Sequence, residues 1–382
     1  MNTLEFPVTS KRLEMTAWLA GRTRTPILGL KDALHPLCPQ RRQKGTLMSS
    51  VSGLAVRGLV ALSVLLAGLS ARADVPAFTL AQGADHPLSG KVWSRAEGDF
   101  VSGDAVGTAV RDARYVLLGE IHDNPDHHAL QAYLLGQAAS NGRRPAVVLE
   151  MIPRDRQDRI EAHFAGTPAD AAGFGAAVGW SELGWPDYAI YRPILETALE
   201  AGLSVVAGDA PRADRRALAR EGLESLGTET VATLSLDAPL GVAEDARLLD
   251  TLFDGHCGLM PRAALAPLVT VQRLRDATLA DAMIAADGAG ADGAVLIAGA
   301  GHVRADFGVP RYLAWRDATA TVVTVGFVEV RADATQPQDY AAVGDGDAAL
   351  YDYVWFTPGR GAERGDPCAE LEKRFGKKRQ EN

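Results

Sequence analysis

Short apolar runs that end abruptly in glycine and polar residues recur along this chain of 382 residues. The first covers residues 115–118 and leads directly into Gly119, Glu120 and His122. An apolar run of this length, bounded by turn residues, is typical of a strand that is buried on both faces of a parallel sheet. The pattern therefore predicts a strand that carries polar side chains at its carboxyl end.

Three later runs repeat this pattern. They are residues 145–150, which end on Glu150, residues 204–209, which end on a glycine and Asp209, and residues 294–298, which lead into Gly299 and His302. Two further runs cover residues 321–330 and 354–356. The first of these is longer and partly alternating, which is expected of a strand nearer the sheet edge.

Helical periodicity fills the intervals between these runs. The sequence Asn124-Pro125-Asp126 starts one helix, because proline is favoured at the first helical position. Residues 211–258 contain helical patterns alone, and a long helix over about residues 262–286 follows. Strands that alternate with helices predict an α/β fold with a mostly parallel sheet flanked by helices, and the strand-free interval predicts a small all-helical subdomain.

Parallel strands end at one edge of their sheet, and in open α/β sheets ligands bind at that edge. His122 and His302 both follow a strand in the pattern Gly-x-x-His. Together with Glu120, Glu150 or Asp209 they could form a shell for a divalent metal such as Zn, Mn or Fe. Alternatively, the same set of residues could carry acid–base catalysis without a metal. A third interpretation is that each histidine only satisfies hydrogen bonds at a strand end.

An aromatic segment lies between the second and third predicted strands. Four rings fall within twelve residues, interspersed with glycine and proline: Trp180, Trp185, Tyr188 and Tyr191. This composition predicts a loop, with a helix that begins at about Tyr191. The rings could pack in the core, or they could form a flat wall for a large planar ligand, with a tyrosine oxygen free to bind iron. Arg192 and Arg304 could then pair with carboxylates of the ligand.

The first 73 residues differ from the rest of the chain. In residues 48–73, Arg57 precedes an apolar core and Ala71-Arg72-Ala73 follows it, as in a secretory signal peptide. We therefore expect export to the periplasm or the outer membrane, with residues 1–47 a mis-called extension. Cysteine does not follow the apolar core, so lipidation is not expected. Residues 74–110 would be a leader segment, and residues 331–382 a C-terminal strand and polar tail.

The net charge of the chain bears on its possible partners, and its cysteines bear on disulfide formation. The whole chain has a formal charge of −9, and residues 1–73 carry +7, which leaves −16 on the remainder. Such an acidic chain is not expected to bind nucleic acid. Beyond the predicted signal peptide the cysteines are Cys257 and Cys368, which in an oxidising compartment favour one disulfide over two free thiols.

Six ordered motifs resemble the ChaN-like haem-binding (lipo)proteins of the Tiki superfamily. They are Leu118-Gly119-Glu120-Ile121-His122-Asp123-Asn124, Val148-Leu149-Glu150-Met151, Tyr191-Arg192-Pro193-Ile194, Asp254-Gly255-His256-Cys257-Gly258, Gln272-Arg273-Leu274-Arg275-Asp276-Ala277-Thr278, and Gly301-His302-Val303-Arg304 with Gly308-Val309-Pro310-Arg311-Tyr312. The likeness spans about residues 111–330. The chain departs from the family in one respect: many members carry a lipid-bearing cysteine after the apolar core, and this cysteine is not found here.

The resemblance implies an exported protein of haem or iron uptake. Haem would lie at a dimer interface with a tyrosine as iron ligand, for which Tyr188 and Tyr191 are the candidates. The implied partners are haem, a second copy of the chain and outer-membrane haem-uptake machinery. The wider superfamily also contains metal-dependent peptidases and esterase-like enzymes. A metal-dependent hydrolase that uses His122, Glu150 and His302 is therefore the alternative to a haem-binding protein.

Overall fold

The computed structural model describes residues 74–166, 170–344 and 349–380 of the chain. The predicted signal peptide at 48–73 and the extension at 1–47 lie outside these residues. Among the helices that are described, none is long and apolar enough to cross a membrane.

The described residues contain one mixed sheet of eight strands. The strands are β1 Val92–Ser94, β2 Asp99–Val101, β3 Tyr115–Glu120, β4 Ala146–Pro153, β5 Val205–Asp209, β6 Ala294–Gly299, β7 Val322–Glu329 and β8 Tyr353–Thr357. Their order across the sheet is β2-β1-β8-β7-β3-β6-β4-β5. The strands from β8 to β5 pair in parallel, whereas β1 pairs antiparallel with both β2 and β8.

Eleven α-helices connect and follow these strands in the described residues. They are α1 Gly103–Asp112, α2 Pro125–Ala138, α3 Gln157–Ala165, α4 Ala171–Ala177, α5 Tyr188–Glu200, α6 Arg212–Glu221, α7 Thr228–Thr233, α8 Val242–Gly255, α9 Ala266–Gly288, α10 Val309–Arg316 and α11 Pro367–Gln380. Asn124 caps α2, because its side chain accepts hydrogen bonds from the backbone N–H groups of Asp126 and His127.

Both faces of the sheet are covered by apolar side chains. On β3, Val116 and Leu118 pack into one core cluster with residues of α1, α2 and α5. Tyr115 and Leu117 pack into a second cluster with residues of α6, α9 and α10. Because alternate side chains of a strand point to opposite faces, burial of both faces requires an uninterrupted apolar run. The predicted α/β fold with a mostly parallel sheet is confirmed.

Two strand expectations need correction. The strand predicted at residues 321–330 corresponds to β7, which lies between β8 and β3 and not near an edge. Its four central residues are buried, and the two residues at each end are half-buried. Residues 74–110, expected to be a leader, contain β1, β2 and most of α1. Strands of three residues are too short to give a periodic signal.

The C-terminal segment is tied to the domain at two points. The guanidinium of Arg364 donates to Asp123 at 2.7–3.0 Å and to Glu329 at 2.6–2.7 Å. Four residues later, the predicted disulfide between Cys257 and Cys368 is present and joins α11 to the end of α8. The segment expected to be a loose polar tail is therefore anchored beside the strand ends.

Removing the disulfide should lower stability. We expect the double variant Cys257→Ser, Cys368→Ser to lose about 2–5 kcal/mol of unfolding free energy, because a cross-link restricts the unfolded chain and this one joins residues 111 positions apart. Urea unfolding of the wild type and the variant measures the difference. A thiol reductant should destabilise the wild type and leave the variant unchanged; equal stability of the two proteins without reductant would contradict the expectation.

Candidate functional site

The carboxyl ends of β3, β4 and β6 border a cleft of about 430 Å³, which we call the strand-end cleft. Its lining includes Glu120, His122, Glu150, Trp185, Arg275, Gly299 and His302, and it also includes Leu248, Thr251, Leu252 and Phe307, which we call the apolar wall. The register of the sheet explains the convergence, since Glu120 pairs with Gly299 and Leu149 pairs with Ile297. The predicted meeting of these polar groups at one edge is confirmed.

Glu120 is a buried carboxylate that is held by three side chains. One of its oxygens accepts a hydrogen bond from His122 Nδ1 at 3.0 Å and lies 3.4 Å from the hydroxyl of Tyr191. The other oxygen lies 3.1 Å from His128 Nε2. Since an unpaired buried charge is costly, these contacts are needed to keep Glu120 at this edge of the core.

The buried ring of His128 links α2 to the end of β3. Gln131 uses its amide nitrogen to donate to the carbonyl of Leu118, and its amide oxygen lies 2.9 Å from His128 Nδ1. His128 Nε2 lies 3.1 Å from both the carbonyl oxygen of His122 and a carboxylate oxygen of Glu120. His128 therefore packs against the backbone and the side chain at this strand end.

His122 is the more accessible histidine of the cleft, with 35% of its side chain exposed. Its ring lies 4.6 Å from the ring of Trp185. Burial lowers the pKa of His122, but the hydrogen bond to Glu120 and the charges of Glu150 and Glu120 outweigh burial and leave the pKa raised. Because Nδ1–H is donated to Glu120, the outer nitrogen Nε2 is a basic atom at the cleft surface.

His302 occupies a different environment, although it shares the Gly-x-x-His pattern. Its Nδ1 lies 2.5 Å from Asp276, and its Nε2 lies 3.1 Å from Glu150. Burial lowers the pKa of His302, but the charges of Glu150 and Asp276 dominate and raise it to about 9. His302 is therefore a buried imidazolium whose two nitrogens both face carboxylates.

Glu150 is saturated by its neighbours. One oxygen accepts from Arg275 at 2.7 Å and from His302, and the other accepts from the backbone N–H of Gly299 at 2.6 Å. Burial raises the pKa of Glu150, but the charges of His302 and Arg275 hold it well below its usual value. Arg275 also binds Asp209, which thereby joins the same network.

The divalent-metal shell predicted from Glu120, His122, Glu150 and His302 is not assembled. A ligand needs a free lone pair directed at the metal, and both nitrogens of His302 face carboxylates, while Glu150 already contacts Arg275, His302 and the N–H of Gly299. Nowhere in the described part of the chain do three His, Cys, Asp or Glu side chains form a group that could hold a metal ion.

The aromatic segment is more regular than predicted. Asp187 caps a helix that begins at Tyr188, three residues before the predicted start. Trp180 is buried and Trp185 stands at the cleft, where its indole N–H donates to the carbonyl of Met151 at 2.8 Å. On the outer side of Trp185 lies a second cleft of about 460 Å³, which is bordered by Trp180, Pro186 and Tyr188.

Neither candidate tyrosine has a free hydroxyl. Tyr191 is buried and donates to the carbonyl of His122 at 3.1 Å, while Tyr188 donates to the carbonyl of Ala171 at 2.5 Å. Burial raises the pKa of both, helped by the charge of Glu120 at Tyr191 and of Glu196 at Tyr188. Both hydroxyls therefore already have hydrogen-bond acceptors within the protein.

The two predicted arginines lie outside the wall of the cleft. Arg192 pairs with Glu196 at 3.0 Å on the exposed side of α5. Arg304 binds Asp306 and packs against Phe307, behind the apolar wall. That wall was not predicted, although the spacing of Leu248 and Leu252 on α8 is the signal that could have revealed it.

Comparison with known families identifies the family of this chain. A family model described as "Haem-binding uptake, Tiki superfamily, ChaN" matches residues 106–313. The chain belongs to this family. The resemblance inferred from the six motifs is thereby confirmed, and the matched residues include every residue named above as lining the strand-end cleft.

Solved structures support the family fold. A Campylobacter jejuni structure titled "Cofacial heme binding to ChaN" is 19% identical, covers 69% of this chain and 95% of its own, and has a TM-score of 0.54. The erythromycin esterase EreC is 16% identical, with 59% and 72% coverage and a TM-score of 0.33. The type III effector HopBA1 is 15% identical, with 75% and 99% coverage and a TM-score of 0.38. The last two scores are too low to carry an argument. No curated protein matches the sequence.

The buried charge of His302 predicts pH-dependent stability in this family member. Because folding raises the pKa from 6.5 to about 9, the charge stabilises the fold fully below pH 6.5 and loses this effect as the pH rises through 9. We expect the unfolding free energy to fall by roughly 3 kcal/mol over this range.

Urea unfolding of the wild type at pH 6.5 and at pH 9 measures this fall in the unfolding free energy. His302→Gln removes the titrating group and should show a smaller fall, whereas His163→Gln, on α3 outside the cleft, should keep the wild-type fall. The same fall in the His302→Gln protein as in the wild type would show that another group is responsible.

Proposed function

We propose that this protein binds haem in the strand-end cleft and works, after export, in haem and iron acquisition. The observation that carries the proposal is the match of a haem-binding uptake family to residues 106–313, which line the cleft. The signal-like pattern of residues 48–73 supports export. Haem, a second copy of the chain and outer-membrane haem-uptake machinery are the proposed partners.

The chemistry of the cleft suits a large planar ligand. Leu248, Leu252 and Phe307 offer apolar side chains on the apolar wall, and the rings of His122 and Trp185 also line the cleft. A volume of about 430 Å³ is within the usual range for small-molecule sites. The apolar wall would cover the porphyrin ring, and its propionates would remain at the open side of the cleft in solvent.

Tyrosine ligation, which the resemblance implies, would require hydrogen bonds of the tyrosine hydroxyls to be broken in this chain. Tyr191 would have to leave the core and its bond to the His122 carbonyl, and Tyr188 would have to release the Ala171 carbonyl. Tyr188 is the better placed of the two, because it borders the cleft on the outer side of Trp185.

A titration of the purified protein with hemin tests the proposal. We expect a Soret band that saturates, and at least tenfold weaker binding by Leu252→Asp, because a carboxylate would replace part of the apolar wall and repel the propionates. Tenfold corresponds to about 1.4 kcal/mol. The matched control is Val242→Asp, which makes the same change of character on the same helix at a side chain that is 92% exposed.

Two outcomes of this titration would contradict the proposal. A wild-type protein that gives no Soret band would rule out the haem function. Equal affinity of the Leu252→Asp and Val242→Asp proteins would place any haem outside the strand-end cleft. Circular dichroism of both variants distinguishes loss of binding from loss of the fold.

Hydrolysis is the second candidate function. His122 hydrogen-bonds to Glu120, and a histidine that acts as a general base is commonly oriented by a carboxylate in this way. Without a metal shell, the reaction would depend on base catalysis by Nε2. If the protein is an esterase, His122→Ala should slow hydrolysis of p-nitrophenyl acetate at least a hundredfold. The control His163→Ala should have the wild-type rate. A wild-type rate no faster than buffer removes this candidate.

A further inference from the structure

We propose that the protein has a second small-molecule site, which takes an organic monocarboxylate with an apolar body. The site is a cavity of about 530 Å³ at the carboxyl ends of β4 and β5, which we call the arginine cavity. Its volume is within the usual range for small-molecule sites. The proposal does not rest on haem binding, because among the described residues the arginine cavity and the strand-end cleft share Trp185 alone.

The position of the cavity follows from the sheet. Pro153 and Asp209, the last residues of β4 and β5, both border it. Arg212 and Arg215 also border it, and they belong to the first four residues of α6, which follows β5 directly. Ligands of open α/β sheets bind outside the carboxyl ends of the strands. The fold therefore places two arginines at an edge where ligands are expected.

These two arginines have guanidinium N–H groups that the protein does not use. Arg215 reaches Asp209 with one terminal nitrogen at 3.2 Å, while its buried Nε has no hydrogen-bond partner in the part of the chain that the structure describes. Arg212 is exposed, and no described residue forms an ion pair or a hydrogen bond with its side chain. Because buried N–H groups are almost always paired, an unpaired one beside a cavity points to an acceptor that the chain itself does not supply.

The carboxylate of Asp209 does not neutralise both arginines. It already accepts two hydrogen bonds from Arg275, at 2.9 and 3.0 Å, and its contact with Arg215 is longer. Burial and the positive charges of Arg275 and Arg212 lower the pKa of Arg215, although the charge of Asp209 acts against them. Three guanidinium groups thus surround one carboxylate, and this excess of positive charge favours an anionic ligand.

The other acidic side chains of the lining favour a ligand with a single negative charge. Glu182 is paired with Arg156 at 2.8 Å. Asp155 is exposed and borders the cavity, where it would repel an anion. A guanidinium group binds carboxylate and phosphate in the same bidentate manner. A dianionic phosphate, however, would be repelled more strongly than a carboxylate by Asp155 and Asp209, so a monocarboxylate fits the site better.

The remaining lining accounts for the apolar body of the ligand. Met151, Pro153, Leu183 and Trp185 contribute side chains to the cavity. The indole N–H of Trp185 is already donated to the carbonyl of Met151 at 2.8 Å, so the ring offers its apolar surface. An aliphatic or aromatic body could pack on these side chains while its carboxylate pairs with Arg212 and Arg215.

Calorimetric titration of the purified protein with benzoate, in a buffer free of phosphate and other carboxylates, tests the proposal. We expect saturable binding that Arg212→Gln weakens roughly tenfold, because a charged hydrogen-bond donor is lost. The matched control is Arg216→Gln, which makes the same change at an exposed residue of the same helix, outside the lining of the cavity. This variant should bind benzoate as the wild type does.

Two further variants test the sign of the charge and the apolar contact. Asp155→Asn should strengthen benzoate binding, because it removes a negative charge that faces the carboxylate. Leu183→Ser should weaken binding of benzoate and leave binding of acetate, which has almost no apolar body, unchanged. Phenyl phosphate at neutral pH should bind more weakly than benzoate.

The outcomes decide the site and the class of ligand. A wild-type protein that binds no benzoate, or equal affinities of the Arg212→Gln and Arg216→Gln proteins, would overturn the proposal. Tighter binding of phenyl phosphate than of benzoate would overturn the assignment to a carboxylate. Leu252→Asp should keep the wild-type affinity, and its loss of benzoate binding would place the ligand in the strand-end cleft instead. A failure to bind hemin would contradict the haem function and leave this result unaffected.

Discussion

Four of the carboxylates buried at or beside the carboxyl edge of the sheet contact histidine or arginine side chains there: Glu120, Glu150, Asp209 and Asp276. Burying a carboxylate without a partner costs several kcal/mol, so each needs a positive charge or hydrogen-bond donors nearby. Arg275 and His302 bridge three of the four, and His122 and His128 contact Glu120. Arg275 and His302 are thereby committed to holding the strand ends together.

This constraint explains why the sequence predicted the edge but not the roles of its residues. Apolar runs that end in glycine and an acid identify buried parallel strands, and parallel strands must share an edge. The repeated Gly-x-x-His pattern then suggested that His122 and His302 are equivalent. They differ because Asp276, on the distant helix α9, reaches His302, whereas His122 faces Trp185 and solvent. Such partners come from the tertiary fold and leave no local signal.

In the aromatic segment, by contrast, the local sequence did contain a signal for the helix. The glycine and proline content of the segment led to the prediction of a loop instead. Glycine and proline around Trp185 indicated a loop, yet Asp187 is a good helix cap, and Tyr188 and Tyr191 are three residues apart. Helical spacing turns both tyrosines towards the core clusters of the domain. Side chains that pack in this way stabilise the core behind the strand-end cleft.

The same arrangement bears on how tightly haem would be held. Side chains that are already held by buried hydrogen bonds, as Glu120 and Trp185 are, lose little conformational freedom when a ligand binds, which favours affinity. The buried charges that hold the strand ends thus keep the site rigid while its outer side stays open.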